Sequence, residues 1–167
     1  MTTSTPASEG ADQLGLPWDL TEWVSAKDLL RWIDEDVATL DWNNPNLVAF
    51  LQAHPDFKPK SMLRLLTFAY ATGFYSSEDI VQNCYRDKNF FNTCEDGVPR
   101  GKGIIAFRRE NRALLKWFLV QLFKRALRVK FDLGDFLVPP GLKQRLAEAA
   151  VTRVDIARHL DRGDESF

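Results

Sequence analysis

The chain has 167 residues, 45% of them hydrophobic and 12% aromatic, which is the composition of one folded domain with a real core and excludes a disordered or fibrous chain. Its net charge is −1, yet residues 100–130 hold ten of the 22 Lys and Arg and one acid, Glu110, a local charge of +9, while residues 1–56 carry two bases against ten acids. The longest uncharged apolar stretch, Trp117 to Phe123, has seven residues, interrupted by Gln121, where a bilayer needs about 20, and the two Cys and two His show no paired zinc-ligand spacing.

The opening MTTSTPASEGADQ has neither the basic nor the apolar region of a secretory signal and reads as a disordered lead-in over residues 1–17, so cytoplasmic residence is the expectation. Ser25 caps a helix of about fifteen residues, with Leu29, Leu30, Ile33, Val37 and Leu40 on one face and Asp34, Glu35 and Asp36 turned mostly outward. Asn44-Pro45 opens a short helix through Phe50 and Leu51 that stops before Pro55, with His54 near its end. Pro59 starts a third helix, buried along Met62, Leu65, Leu66 and Ala69 and ended by Gly73.

Ser76-Ser77-Glu78-Asp79 is a further start signal, with hydroxyls to cap and two acids at the positive end of the helix dipole; Ile80, Val81 and Cys84 face inward. A short turn of helix over Asn89 to Cys94 is expected to bury Phe90 and Phe91, and Glu95 to Gly103, with three glycines and a proline, reads as a loop. From Ile104 to Arg128 runs the longest helix, with Ile104, Phe107, Leu114, Leu115, Phe118 and Leu122 on one side and Arg108, Arg109, Arg112 and Lys116 as an adjacent stripe. Pro139-Pro140-Gly141 precedes a last amphipathic helix with Leu142, Leu146, Ala149, Ile156 and Leu160, which docks on its own domain or on a partner, and the tail DRGDESF frays. No period-two alternation competes with helix. The fold expected is all-α, a compact bundle of six or seven helices containing a helix-turn-helix-like unit, divided into a lead-in (1–17), a helical domain (18–130) and a linker with C-terminal helix (131–167).

Three pieces in order, LLTFAYATGFYSS, the aromatic turn YRDKNFF, and Pro99 followed by FRRENRALL, resemble the N-terminal domain of bacterial insertion-sequence transposases of the InsH type, whose catalytic part is a DDE RNase-H-like domain. Upstream, WVSAKDLLRWIDEDVATLDW is similar to that family's opening helix, so the resemblance spans Trp18 to Arg128. The sequence departs from the family pattern in three places. Glu78 follows the Ser-Ser pair where many members have Arg; Pro99-Arg100-Gly101-Lys102-Gly103 stands where members read Pro-Asp-x-x-Thr/Ser; and Asp132 and Asp135 do not sit in the pattern of the first catalytic carboxylate. Phosphodiester transfer by such enzymes needs three carboxylates holding two metal ions, so the expectation is that this chain is not an enzyme and takes no cofactor or metal.

The resemblance implies double-stranded DNA as partner, as in transposon-end recognition, with Arg100, Lys102, Arg108, Arg109, Arg112 and Lys116 as the candidate contacts. Guanidinium groups fork onto phosphate or onto guanine O6 and N7, and Gly101 and Gly103 would let backbone N–H groups approach a phosphate at the helix start. The alternative for the same cations is a solvated face, or pairing with Asp34, Glu35 and Asp36. Lys124, Arg125 and Arg128 turn to another face. The rings of Phe68, Tyr70, Phe74, Tyr75, Phe90, Phe91, Phe107 and Phe118 belong to the core, with Tyr75 and Tyr85 the better candidates for exposed contacts; Cys84 and Cys94 are core thiols, and neither His54 nor His159 is a ligand. A homodimer or a full-length transposase is a further candidate partner. Two other functions stay open: a protein-interaction module that regulates such a transposase, and an inert truncated remnant. No membrane and no small-molecule substrate are expected.

Overall fold

The computed structural model describes residues 16–41, 43–45, 48, 49, 52, 59–94, 97–130 and 140–164, the two ends of the last helix by backbone alone. Among the described residues the fold is all-α: a 3-10 turn at Leu20–Glu22 and seven α-helices, α1 (Ala26–Ala38), α2 (Pro59–Ala71), α3 (Ser77–Arg86), α4 (Lys88–Asn92), α5 (Gly101–Glu110), α6 (Arg112–Lys130) and α7 (Pro140–Asp164). Pro45, Val48, Ala49 and Gln52 of the expected second helix are helical. Phe50, Leu51, His54, Asp132, Asp135 and nearly all of the lead-in and linker lie outside the described residues.

Local chemistry sets the helix starts. Ser25 Oγ accepts from Asp28 N–H at 3.1 Å and opens α1; Ser76 Oγ accepts from Asp79 N–H at 3.1 Å and opens α3. At Asp87 one residue ends α3 and begins α4, its carboxylate accepting from Asn89 N–H at 2.8 Å and Phe90 N–H at 3.3 Å. Gly73, with φ +94°, ends α2, and Phe74 N–H reaches back to the Ala69 carbonyl at 2.9 Å, the pattern that a left-handed residue after a helix permits.

The centre of the bundle is α2, buried nearly all round instead of along the one expected stripe: Leu63, Phe68, Tyr70 and Ala71 are as enclosed as Met62, Leu65, Leu66 and Ala69. It packs against α1 and α6 as well as against α4 and α5, while α3 leans on α4 and α5, and α7 lies along α6. Phe90 sets α4 on this core, edge-on to Phe68 (5.1 Å) and Phe74 (5.4 Å). Its neighbour Phe91, expected inside, is 60% exposed, because a five-residue helix lying on the bundle can bury only one side.

Two further expectations are corrected. The segment from Ile104 to Arg128 is two helices, since Asn111 leaves helical geometry (φ −121°, ψ 32°) and donates its side-chain amide to the Phe107 carbonyl at 3.0 Å. The first of the two starts at Gly101, so three residues expected in a loop form its opening turn. The last helix docks on its own domain, with Leu146, Ala149, Ala150, Val154 and Ala157 buried, and helical backbone continues to Asp164.

Arg153 closes this docking. Its side chain is fully buried between the rings of Trp18 and Phe123, 4.7 Å from each centroid, and donates to the carbonyls of Pro17 at 2.9 Å and Ala149 at 3.2 Å. Leu16 and Pro17, assigned to the lead-in on sequence, thereby belong to the folded body. Burial lowers the Arg153 pKa, and an arginine that deep keeps its charge because guanidinium is so strong a base.

Candidate nucleic-acid interface

The basic block is divided by the break at Asn111, and its two parts do different things. On α5, 100° per residue puts Gly103, Ile104, Phe107 and Arg108 on one side, and all four are buried. The opposite side carries Lys102, Ile105, Ala106 and Arg109. Lys102 and Arg109, both exposed, are seven residues apart, so they share a face at a separation of about 10 Å along the axis. Arg100, also exposed, is the N-cap residue, and its side chain makes no capping hydrogen bond.

The N-terminus of α5 abuts that of α3. A Cβ built on Gly101 would lie 3.5 Å from Ser77 Oγ, ordinary van der Waals contact, so the two positive dipole ends converge there. Against them stand Glu78 and Asp79 in the first turn of α3, both exposed, with Glu78 accepting from Gln82 Nε2 at 3.3 Å.

The expected stripe of Arg108, Arg109, Arg112 and Lys116 is not a single exposed face. Arg108 is only 3% exposed and donates through Nη1 to the Tyr75 carbonyl at 2.5 Å, beside the Tyr70 hydroxyl. Burial pushes the Tyr70 phenol up to about 12, partly offset by the Arg108 guanidinium, and burial also raises Tyr75. Arg112 is ion-paired with Asp155 of α7, and Lys116 is half-buried on α6. A helical wheel drawn through Asn111 cannot show this, because the break changes the register between the two pairs of cations.

Pairing with the acidic helix does occur, through other arginines. Arg125 of α6 meets Glu35 at 2.5 Å and Asp36 at 3.1 Å, and Arg64 of α2 meets Asp34 at 2.5 Å. Asp36 is accordingly buried, not outward, and burial raises its pKa against the lowering effect of Arg125. Missed on sequence were the inward arginines 64 and 153 and the exposed cations Arg86 and Lys88, which follow Tyr85, 74% exposed, where α3 ends and α4 begins. No spacing signal distinguishes these residues from other surface cations. His159 is exposed.

Among the described residues no group of three or more His, Cys, Asp or Glu is arranged to hold a metal ion, and no helix is long and apolar enough to cross a membrane. No curated protein and no solved structure matches the chain. A family model does: the one described as Transposase domain (DUF772) matches residues 18–110, from the Trp18 that stacks on Arg153 to the last residue of α5. The match covers more than half of the sequence and ends where the Asn111 break begins, and the chain belongs to this transposase-domain family.

Proposed function

We propose that this chain binds double-stranded DNA in the course of transposition, as in recognition of a transposon end, with α5 as the helix that enters the major groove. The observation that carries the reading is the outer face of α5, where Lys102 and Arg109 flank the small, half-buried Ala106 and Ile105, with Arg100 at the dipole's positive end. Two cations about 10 Å apart on one face suit a groove about 12 Å wide, the residues between them being short enough for a close approach to base edges and thymine methyls. In this reading α3 and α4 support α5 as the leading helices of a helix-turn-helix-like unit, and Arg108 and Arg112 hold the structure together instead of touching DNA. The chain acts on DNA inside the cytoplasm and positions it without cutting, since the sequence offers no set of three carboxylates in the pattern that strand transfer requires.

Fluorescence anisotropy with duplex DNA tests the reading. Submicromolar binding at about 50 mM salt that weakens steeply by about 200 mM supports it, and no binding at the lower salt overturns it. A second reading has its own observation: Tyr85 and Phe91 expose large rings on α3 and α4, as a protein-docking surface does. Capture of a full-length transposase that is lost in a Tyr85→Ala/Phe91→Ala variant, with no DNA binding by the wild type, would favour an interaction module instead.

A further inference from the structure

Cys84 lies on α3, fully buried, and Cys94 two residues past the end of α4. The hairpin that Asp87 turns between these helices brings the two side chains face to face, with the sulfurs 3.3 Å apart and neither bonded to anything but hydrogen-bond partners. A disulfide bond is about 2.05 Å long, so closure requires the sulfurs to approach by little more than 1 Å. Cys94 lies outside any helix, two residues past the end of α4, so the approach breaks no helical hydrogen bond at that residue's own position. Cys94 is 7% exposed and is the reachable member of the pair.

We propose that Cys84 and Cys94 form a reversible dithiol–disulfide couple, oxidised by hydrogen peroxide, that ties the residue just past α4 to α3. The Cys94 thiolate attacks one peroxide oxygen, the O–O bond breaks, and the departing oxygen leaves as water after protonation, which makes Cys94 a sulfenic acid. Cys84 sulfur then attacks the Cys94 sulfur and displaces hydroxide, which takes up the Cys84 proton and leaves as a second water. Two thiols and one peroxide thus give one disulfide and two waters, and a small dithiol reductant reverses the change. The environment assigns the roles. Cys94 is the more exposed of the two, and a hydrogen bond with Cys84 draws its thiol below the usual range against the opposing effect of burial, with Thr93 assisting, whereas the same hydrogen bond and burial raise Cys84. Cys94 is the attacking thiol and Cys84 the resolving one. A pair of this kind in a reducing compartment is more often a sensor than a structural bridge. The inference rests on the sulfur geometry and is independent of the DNA reading.

The test uses the whole chain. Protein treated with hydrogen peroxide is denatured, alkylated with N-ethylmaleimide and weighed intact. The expected product is monomeric, lacks both alkyl groups, weighs two hydrogens less than the dithiol, and returns to the dithiol form with dithiothreitol. Its Tm without reductant rises by roughly 5–10 °C, as a closed loop of about ten residues predicts. Cys84→Ser should stop at a Cys94 sulfenic acid that dimedone traps, while Cys94→Ser should give no such adduct. If the treated wild type still alkylates at both thiols, passes to sulfinic acids, or forms only bridges between chains, the proposal is overturned. Because that measurement needs no variant, failure of either Ser variant to fold does not rescue the proposal.

Discussion

The two sides of the Asn111 break carry the same kind of charge and use it differently. On α5 the exposed cations Lys102 and Arg109 stand on the face opposite the core, and Arg100 stands at its start. On α6, Arg112 is engaged with Asp155 and Arg125 with Glu35 and Asp36, so two of the six cations of that helix are paired with acids of α7 and α1. Arg108 sits on α5 but behaves like the second group, being buried and bonded to a backbone carbonyl. What separates the groups is exposure: Arg100, Lys102 and Arg109 are exposed, whereas Arg108, Arg112 and Arg125 are buried or half-buried against neighbouring elements. A local charge of +9 therefore overstates the positive surface available to a ligand.

Arg153 is the extreme of the inward group. Arg153→Ala removes two hydrogen bonds and a guanidinium stacked between two rings, and should cost about 3–4 kcal/mol in urea unfolding through the loosening of α7. A loss below about 1 kcal/mol would mean that apolar contacts alone dock the last helix. The outward group predicts the reverse pattern. Replacing Arg100, Lys102 and Arg109 together with Ala should lower affinity for duplex DNA about a hundredfold at low salt and flatten the log–log salt slope by roughly 2.7, while the urea midpoint stays put. Should Arg112→Ala/Arg125→Ala weaken DNA binding as much without unfolding the chain, the division between the two halves is wrong.

Smaller effects sharpen the same contrast. Arg125→Ala leaves Asp36 buried without its guanidinium and should destabilise by about 1–2 kcal/mol. Glu78→Gln removes a negative charge from the helix start beside Gly101, and should strengthen DNA binding about threefold at low salt with little change in stability. The smallest effect is in pH. The folded pKa of Asp36 is raised, so between the ordinary carboxylate value and the raised one the folded state binds more protons than the unfolded state. The contribution of Asp36 to stability thus grows as pH falls through its folded pKa and shrinks as pH rises. Urea melts of wild type and Asp36→Asn at mildly acidic and neutral pH should show the wild type gaining relative to the variant on the acidic side; a gain on the neutral side would place the pKa shift in the other direction.

Much of the fold is legible in residues whose role is settled within a few positions of the chain. Ser25 and Ser76 cap as read because a hydroxyl and an N–H three residues on meet whenever a helix begins there. Gly73 ends α2 because a residue without Cβ takes φ +94° without strain. Periodicity places Ile80, Cys84, Ile104, Phe107, Phe118 and Leu122 in the core, and all are there. Where the reading goes wrong, a neighbour far along the chain decides. Phe91 and Phe90 are identical in type and adjacent, and only the position of α2 under one side of α4 determines which is buried. Asn111 is a local exception: its backbone leaves helical geometry although its N–H and side-chain amide both still reach the Phe107 carbonyl, and helix propensity alone gives no sign of the break.

The helical class, the starts and stops of most helices, part of the core face of several and the concentration of cations between residues 100 and 130 were all legible in the residues, since they follow from local backbone chemistry and apolar period. Which of those cations face water, that Arg153 binds the last helix to Pro17 and Trp18, and that two thiols ten residues apart meet at 3.3 Å all depend on how the helices pack. The reason is physical: the fate of a long charged side chain depends on which acceptors lie within reach of its tip, and here those acceptors come from residues 33, 43, 90 and 136 positions away.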